Sequence, residues 1–183
     1  MAASFQLKRE GLEHQISMPN VPDPEELLPD YEIAKAFAEQ MPELYRRYLI
    51  TKPIEFRPVE QFNPLKPEKS EPFRHVWIKA IGDLPDNKPL HQEVLAYASD
   101  YNLLTTAVLP HRDKTRLDEL YFASLDHAMW FHREVRMDEW LLYALDSPSA
   151  SNSRGFTRGN IFSRNGVLVA SVVQEGLMGR RRK

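Results

Sequence analysis

Apolar residues along the chain change their spacing twice, and those changes mark out its elements. Leu90, Val94, Tyr97, Ala98, Tyr101, Leu104 and Val108 recur at the helical period. Asn87 is a good N-cap and Pro89 suits a first turn, so a helix is predicted from about residue 87 until Pro110. Leu95 and Leu103 fall on its opposite side, which predicts burial over most of its circumference. Elsewhere the spacing drops towards two. Residues 54–59 and 73–81 read as strands before the helix, and residues 120–131, 139–145, 155–162 and 167–178 as strands after it. Asn165-Gly166 joins the last two with the signature of a type I′ turn. Two strands, one helix and four strands predict an α+β fold with an antiparallel sheet wrapped around a long central helix, an element order that other sheet-and-helix folds share.

The first fifty residues read differently. Pro19, Pro22, Pro24 and Pro29 stand among Asp23, Glu25 and Glu26, which predicts an extended acidic linker rather than a packed element. Residues 2–6 read as one short strand that must find its partner elsewhere, because a lone strand is unstable. Residues 31–40 predict a short helix, and residues 44–49 continue its pattern past Pro42. The expected division is a strand segment over 1–15, a linker and helix over 16–50, one domain over 51–179 and a solvated basic tail over 180–183.

Composition narrows the function classes. With 183 residues, 42% hydrophobic and a net charge of −2, the chain builds a globular core but carries no positive field to recruit nucleic acid. It has no cysteine, so disulfides, thiolate metal sites and cysteine nucleophiles are excluded. No run of about 18 apolar residues predicts a membrane span. Residues 1–11 lack the order of a signal peptide and Gly179-Arg180-Arg181-Arg182-Lys183 is not a peroxisomal ending, so a cytoplasmic location is expected.

The densest chemistry lies in Ser124-Leu125-Asp126-His127-Ala128-Met129-Trp130-Phe131-His132. On an unbroken strand His127 and His132 point to opposite faces, and Asp126 and His132 share a face about 20 Å apart. Neither pair chelates a metal without a bulge, so no metal is expected and both histidines read as hydrogen-bonded within or beside the sheet. No Gly-x-Ser-x-Gly elbow occurs, and Ser147, Ser149, Ser151 and Ser153 read as a turn or strand edge. Seven glycines form neither a Walker loop nor a dinucleotide fingerprint. Trp77, Trp130 and Trp140 read as core. Asp100 sits at the border of the helical apolar stripe, where a carboxylate needs water or a hydrogen bond, and an ordinary helix-edge acid fits equally well. Gln174 shares a strand face with the apolar Leu168, Ala170 and Val172, and the opposite face is apolar too, so alternation leaves open which side meets the helix.

Several long motifs occur together in one order: Phe56-Arg57-Pro58-Val59, Tyr97-Ala98-Ser99-Asp100, the run from Ser124 to His132, Glu139-Trp140-Leu141-Leu142-Tyr143, and Ser147-Pro148-Ser149-Ala150 with Arg154-Gly155-Phe156. Gly166-Val167-Leu168-Val169-Ala170-Ser171, running on to Gln174-Glu175-Gly176, follows them. In these motifs the chain resembles type II acyl-CoA thioesterases, the double-hotdog family. The resemblance implies a hotdog fold, an acyl-CoA substrate, no cofactor, and a catalytic set matching Asp100, Ser124 and Gln174. Serine at 124 replaces the family's commoner threonine, keeping the hydroxyl while losing χ1 stiffness. Asp100 would activate water, while Ser124 and Gln174 would hold it in place.

The resemblance covers only the second hotdog half, with residues 2–6 similar to the last strand of the first. It therefore implies that Leu95 and Leu103 face a partner, either a first-half protein or a second copy. Two other readings stand beside hydrolysis. One is a silent half serving as an assembly or acyl-CoA-binding module; the other is a hotdog hydratase, which would want an Asp–His pair.

Overall fold

The strands lie within one antiparallel sheet in a computed structural model that describes residues 2–7, 9–40, 52–61, 63 and 66–180. They are β1 (Ile54–Pro58), β2 (Phe73–Ala80), β3 (Leu120–Ser124), β4 (Ala128–Phe131), β5 (Leu141–Ser151), β6 (Arg154–Ser163) and β7 (Leu168–Arg180). Their order is β1-β2-β5-β6-β7-β3, with β4 also paired to β7. The helices are α1 (Asp30–Phe37), α2 (Lys88–Ser99) and α3 (Leu103–Thr106). The expected continuation over 44–49 and residues 181–183 of the expected tail lie outside the described residues, whereas Arg180, also expected in the tail, ends β7 and pairs with Leu120.

One sheet face holds the main core. Phe56, Ile78, Leu141, Tyr143, Ile161 and Val172 pack there against Leu95, Ala98 and Leu103. Asn87 caps α2 as expected, its side chain accepting from Leu90 N at 3.3 Å. The phase of the helix differs from the expectation. His91, Leu95, Ala98 and Ser99 face the sheet, and Leu95 and Leu103 are both 0% exposed in this core, so neither faces a missing partner. Of the stripe read as core, Ala98, Leu104 and Val108 are buried, Leu90, Val94 and Tyr101 are half-buried and Tyr97 is 51% exposed, so the stripe's outer edge on α2 lies at Tyr97. The apolar residues of both stripes are alike, and only contact with the sheet distinguishes them.

The expected single helix is also interrupted. Asn102 takes a left-handed conformation, φ 71°, which asparagine tolerates because its short amide can bond locally. Arg74 Nη1 donates to Asn102 Oδ1 at 2.9 Å and Thr105 Oγ1 at 3.0 Å, pinning the break. Pro110 lies inside a 3-10 turn, Leu109–His111, beyond α3.

The opposite sheet face is covered by the proline-rich segment, which is packed rather than a free linker. Met18, Val21 and Leu27 lie on Trp77, Leu142 and Phe162. Trp77 Nε1 donates to Pro22 O at 2.9 Å and Arg57 Nη1 to Pro24 O at 2.7 Å. Arg164 forms a two-pronged ion pair with Glu25. An extended proline backbone has free carbonyls, and here side chains from the sheet supply the donors. Residues 2–6, expected as a strand, join no ladder among the described residues, and Phe5 is exposed.

Turn chemistry also differs. At Asn165-Gly166 only Gly166 has positive φ, 82°, and Ser163 N bonds to Val167 O across a longer loop. The two consecutive positive φ values belong instead to Asn152 and Ser153, between β5 and β6. Among the described residues no helix is long and apolar enough to cross a membrane.

Candidate functional site

Three local irregularities bring the polar residues together. The first ends α2: its C-cap is Asp100, φ −73° and ψ −21°, just ahead of the Asn102 break. There the carboxylate leaves the helix rather than lying along it, and its side chain is 64% exposed. Tyr143 braces the helix end, its hydroxyl donating to Ser99 O at 2.8 Å. Burial, and then the charge on Asp100, push that phenol well above its ordinary value, so it remains a neutral donor.

The second irregularity splits the strand expected over 120–131. Ser124 pairs with Gly176 and Ala128 with Val173, four residues against three, so one residue bulges. Leu125 N and Asp126 N both donate to Glu175 O, while Asp126 Oδ1 accepts from Glu175 N at 2.7 Å. Three apart on a regular strand, Ser124 and His127 would face opposite sides. The extra residue restores His127 to the side of Ser124, and extending the β4 ladder by one sets it opposite Gln174.

The third lies near the start of β7, where the pairing with β6 slips between Ile161 and Phe162. Leu168 consequently packs on the outer face with Phe162, while Val169, Ala170 and Val172 join the main core. Gln174 therefore does not share a face with Leu168 as expected. Its side is that of Ala170 and Val172, turned towards α2, and it is 1% exposed.

The three side chains singled out by the sequence meet at the Gln174 amide. Its Nε2 donates to Asp100 Oδ1 at 2.6 Å and to Ser124 Oγ at 3.1 Å. The reverse orientation would place Oε1 against a carboxylate, so the charge of Asp100 fixes which end faces it. Among the described residues Gln174 Oε1 is buried without a partner, a cost of about 1–3 kcal/mol that the bond to an ionised acceptor offsets. Accepting from Gln174 leaves the Ser124 hydroxyl proton for another acceptor.

His127, read from sequence as an ordinary sheet histidine, belongs to the same cluster. Its Nδ1 is 3.4 Å from Gln174 Nε2 and 4.0 Å from Asp100 Oδ1, and its Nε2 is 2.9 Å from Ser99 Oγ. The signal that could have found it was the pairing of Ser99-Asp100 with Asp126-His127, provided a bulge was placed between residues 124 and 128. His132 lies elsewhere, with Nε2 3.0 Å from Ser171 Oγ. Burial, then the charge on Arg133, lower its pKa. No three metal-ligating side chains converge among the described residues. Ser147 bonds to Phe156 O within the sheet, as a strand-edge serine would. Trp77 is core as expected and Trp140 packs beside it, with Arg57 over its ring, but Trp130 is half exposed on β4.

Residues 46–177 match the profile of a family described as acyl-CoA thioesterase. The chain belongs to that family. It is 35% identical over 179 residues to "Acyl-CoA thioesterase 2" of Haemophilus influenzae, covering 97% of this chain and 63% of that one. It is 39% identical over 186 residues to "Acyl-coenzyme A thioesterase 8" of Mus musculus, covering 96% and 57%. Among solved structures, an acyl-CoA thioesterase II, TesB2, from Mycobacterium marinum superposes with a TM-score of 0.74 at 38% identity, over 96% of this chain and 60% of that one. A hot dog fold protein from Alicyclobacillus acidocaldarius superposes at 0.65 with 16% identity, over 96% of this chain and 60% of that one, which speaks for the fold alone. The architecture is thus an α+β hotdog. The chain spans about 57–63% of the length of these curated relatives.

Proposed function

We propose that this chain forms the site-bearing half of an acyl-CoA thioesterase that hydrolyses fatty acyl-CoA to a fatty acid and coenzyme A, without a cofactor. The observation that carries the reading is the meeting of Asp100, Ser124 and Gln174, from a helix end, a bulged edge strand and a buried strand, at one amide nitrogen. An exposed carboxylate beside two fixed groups suits water activation. In the reaction, water oxygen adds to the thioester carbonyl carbon while one of its protons passes to Asp100. Ser124, through its free hydroxyl proton, and the Gln174 amide steer the water and the carbonyl oxygen. The tetrahedral intermediate collapses with cleavage of the C–S bond, and the proton on Asp100 goes to the departing thiolate.

The domain of this reading is residues 51–179. Its partner is a second hotdog half, either supplied by a first-half protein or taken from another copy of this chain. The exposed side of α2 at Tyr97 and the exposed Trp130 and Phe131 on β4 support such a partner, as does the fraction of the relatives' length that the chain spans. A silent binding module is less well supported, because such a module needs no carboxylate held at 2.6 Å by a buried amide.

The test is thiol release from medium- and long-chain acyl-CoA by the chain with its partner half. Asp100→Ala should reduce turnover by about 10²-fold or more while leaving the far-UV spectrum and assembly state unchanged. Full activity in that variant would remove Asp100 from the mechanism. Hydration of an enoyl-CoA without thiol release would replace hydrolysis by the hydratase reading, since His127 also stands near Asp100.

A further inference from the structure

The hydrogen-bond ledger around His127 determines its tautomer. Ser99 Oγ donates its single proton to Ala96 O at 2.8 Å. That hydroxyl can therefore only accept from His127, 2.9 Å away, so His127 carries its proton on Nε2. Nδ1 is then a lone pair, and it faces the Gln174 amide nitrogen at 3.4 Å. The two amide protons have three acceptors: Asp100 Oδ1, Ser124 Oγ and His127 Nδ1.

We infer that His127 is a positioning residue that keeps the Gln174 carboxamide in its productive orientation during the half of the cycle when Asp100 carries the proton taken from water. The inference rests on the thioesterase reading above. While Asp100 is ionised, its charge holds the amide N–H. Once protonated, Asp100 becomes a donor and favours a rotated amide with Oε1 towards it. Rotation would also turn Oε1 onto the Nδ1 lone pair of His127, two acceptors facing each other. The imidazole opposes the flip at the moment the carboxylate stops doing so. Its own rotation is opposed by Ser99, whose proton is committed to the helix. The charged groups nearby are Asp100, Asp126 on the bulge, and Glu175, which is paired with Arg154. Of these, Asp100 is the acceptor already counted, while Asp126 Oδ1 is taken by Glu175 N and Glu175 by Arg154.

Two isosteric replacements separate positioning from simple bracing of the bulge. Asparagine sets an acceptor oxygen near the Nδ1 position, whereas glutamine reaches the Nε2 position and keeps a donor towards Ser99. His127→Asn should retain a kcat at least about tenfold above that of His127→Gln, with KM similar in both. Equal rates, or a faster His127→Gln, would mean that the imidazole only braces the bulge and would overturn the inference.

Nitrogen-15 NMR of the ring in the full 183-residue chain reads the tautomer without any turnover. A ring protonated at Nε2, with the lone pair at Nδ1, is expected. A ring protonated at Nδ1 would overturn the inference. Asp100→Ala distinguishes the two levels of argument. Full activity there defeats the triad itself, whereas an inactive Asp100→Ala beside a fully active His127→Gln defeats only the role given to His127.

Discussion

Tyr143 and Gly159 show how a single missing methyl holds the site in place. A Cβ on Gly159 would lie 2.2 Å from the Tyr143 ring, which is wholly buried and has nowhere to move. That ring carries the hydroxyl bonded to Ser99 O, next to the carboxylate-bearing residue. Gly159→Ala is therefore expected to destabilise the fold by about 1–3 kcal/mol, as overpacking does. It should also loosen the end of α2 and reduce thiol release. Chemical denaturation measures the first effect, and an unchanged midpoint would mean that the ring finds room. The same dependence on unseen neighbours explains what the sequence left open at Asp100 and Gln174. Each was an acid or amide at an apolar border, and only the other's presence makes either one unusual.

Among the elements, the β1–β2 pair extends past its ladder through Glu60. The Glu60 carboxylate accepts from His75 N at 2.7 Å, and its second oxygen lies 2.7 Å from His75 Nδ1. Burial acts to raise the pKa of Glu60, but the bonds from the His75 ring and backbone outweigh it, and the net shift is below the ordinary 4.5. A carboxyl lowered on folding contributes stability that is complete above its unfolded value and is lost as pH falls through the folded one. The stability of the wild-type chain should thus decline below about pH 4.5, and Glu60→Gln should flatten that part of the acid limb. Denaturation midpoints measured across that range decide it; identical slopes would show that the pair adds no pH-linked stability. Strand existence was legible here from alternation alone. The bulge at residues 125–127 was not, because nothing in the local pattern says where β7 shifts its pairing.

For the whole molecule, Tyr97 on α2 and the β4 edge remain uncovered in a single copy. Tyr97 is 51% exposed and Trp130 52%. In line with the proposed second hotdog half, the chain alone is expected to self-associate, and Tyr97→Asp should shift it towards monomer in sedimentation velocity. A wild-type monomer at tens of micromolar, about the range in which weak assemblies form, would argue against the pairing.

The sequence by itself determined the main strands and the helix of the sheet domain, the N-cap at Asn87 and the family motifs, since these follow from period, capping chemistry and residue order, and the resemblance those motifs carry implied the three side chains to watch. Tertiary contact alone decided which side of α2 is core, that the proline segment packs against the sheet, and that His127 joins the cluster. Each of those turns on a register shift or a helix phase, where two local arrangements are nearly equal in energy and distant packing selects between them.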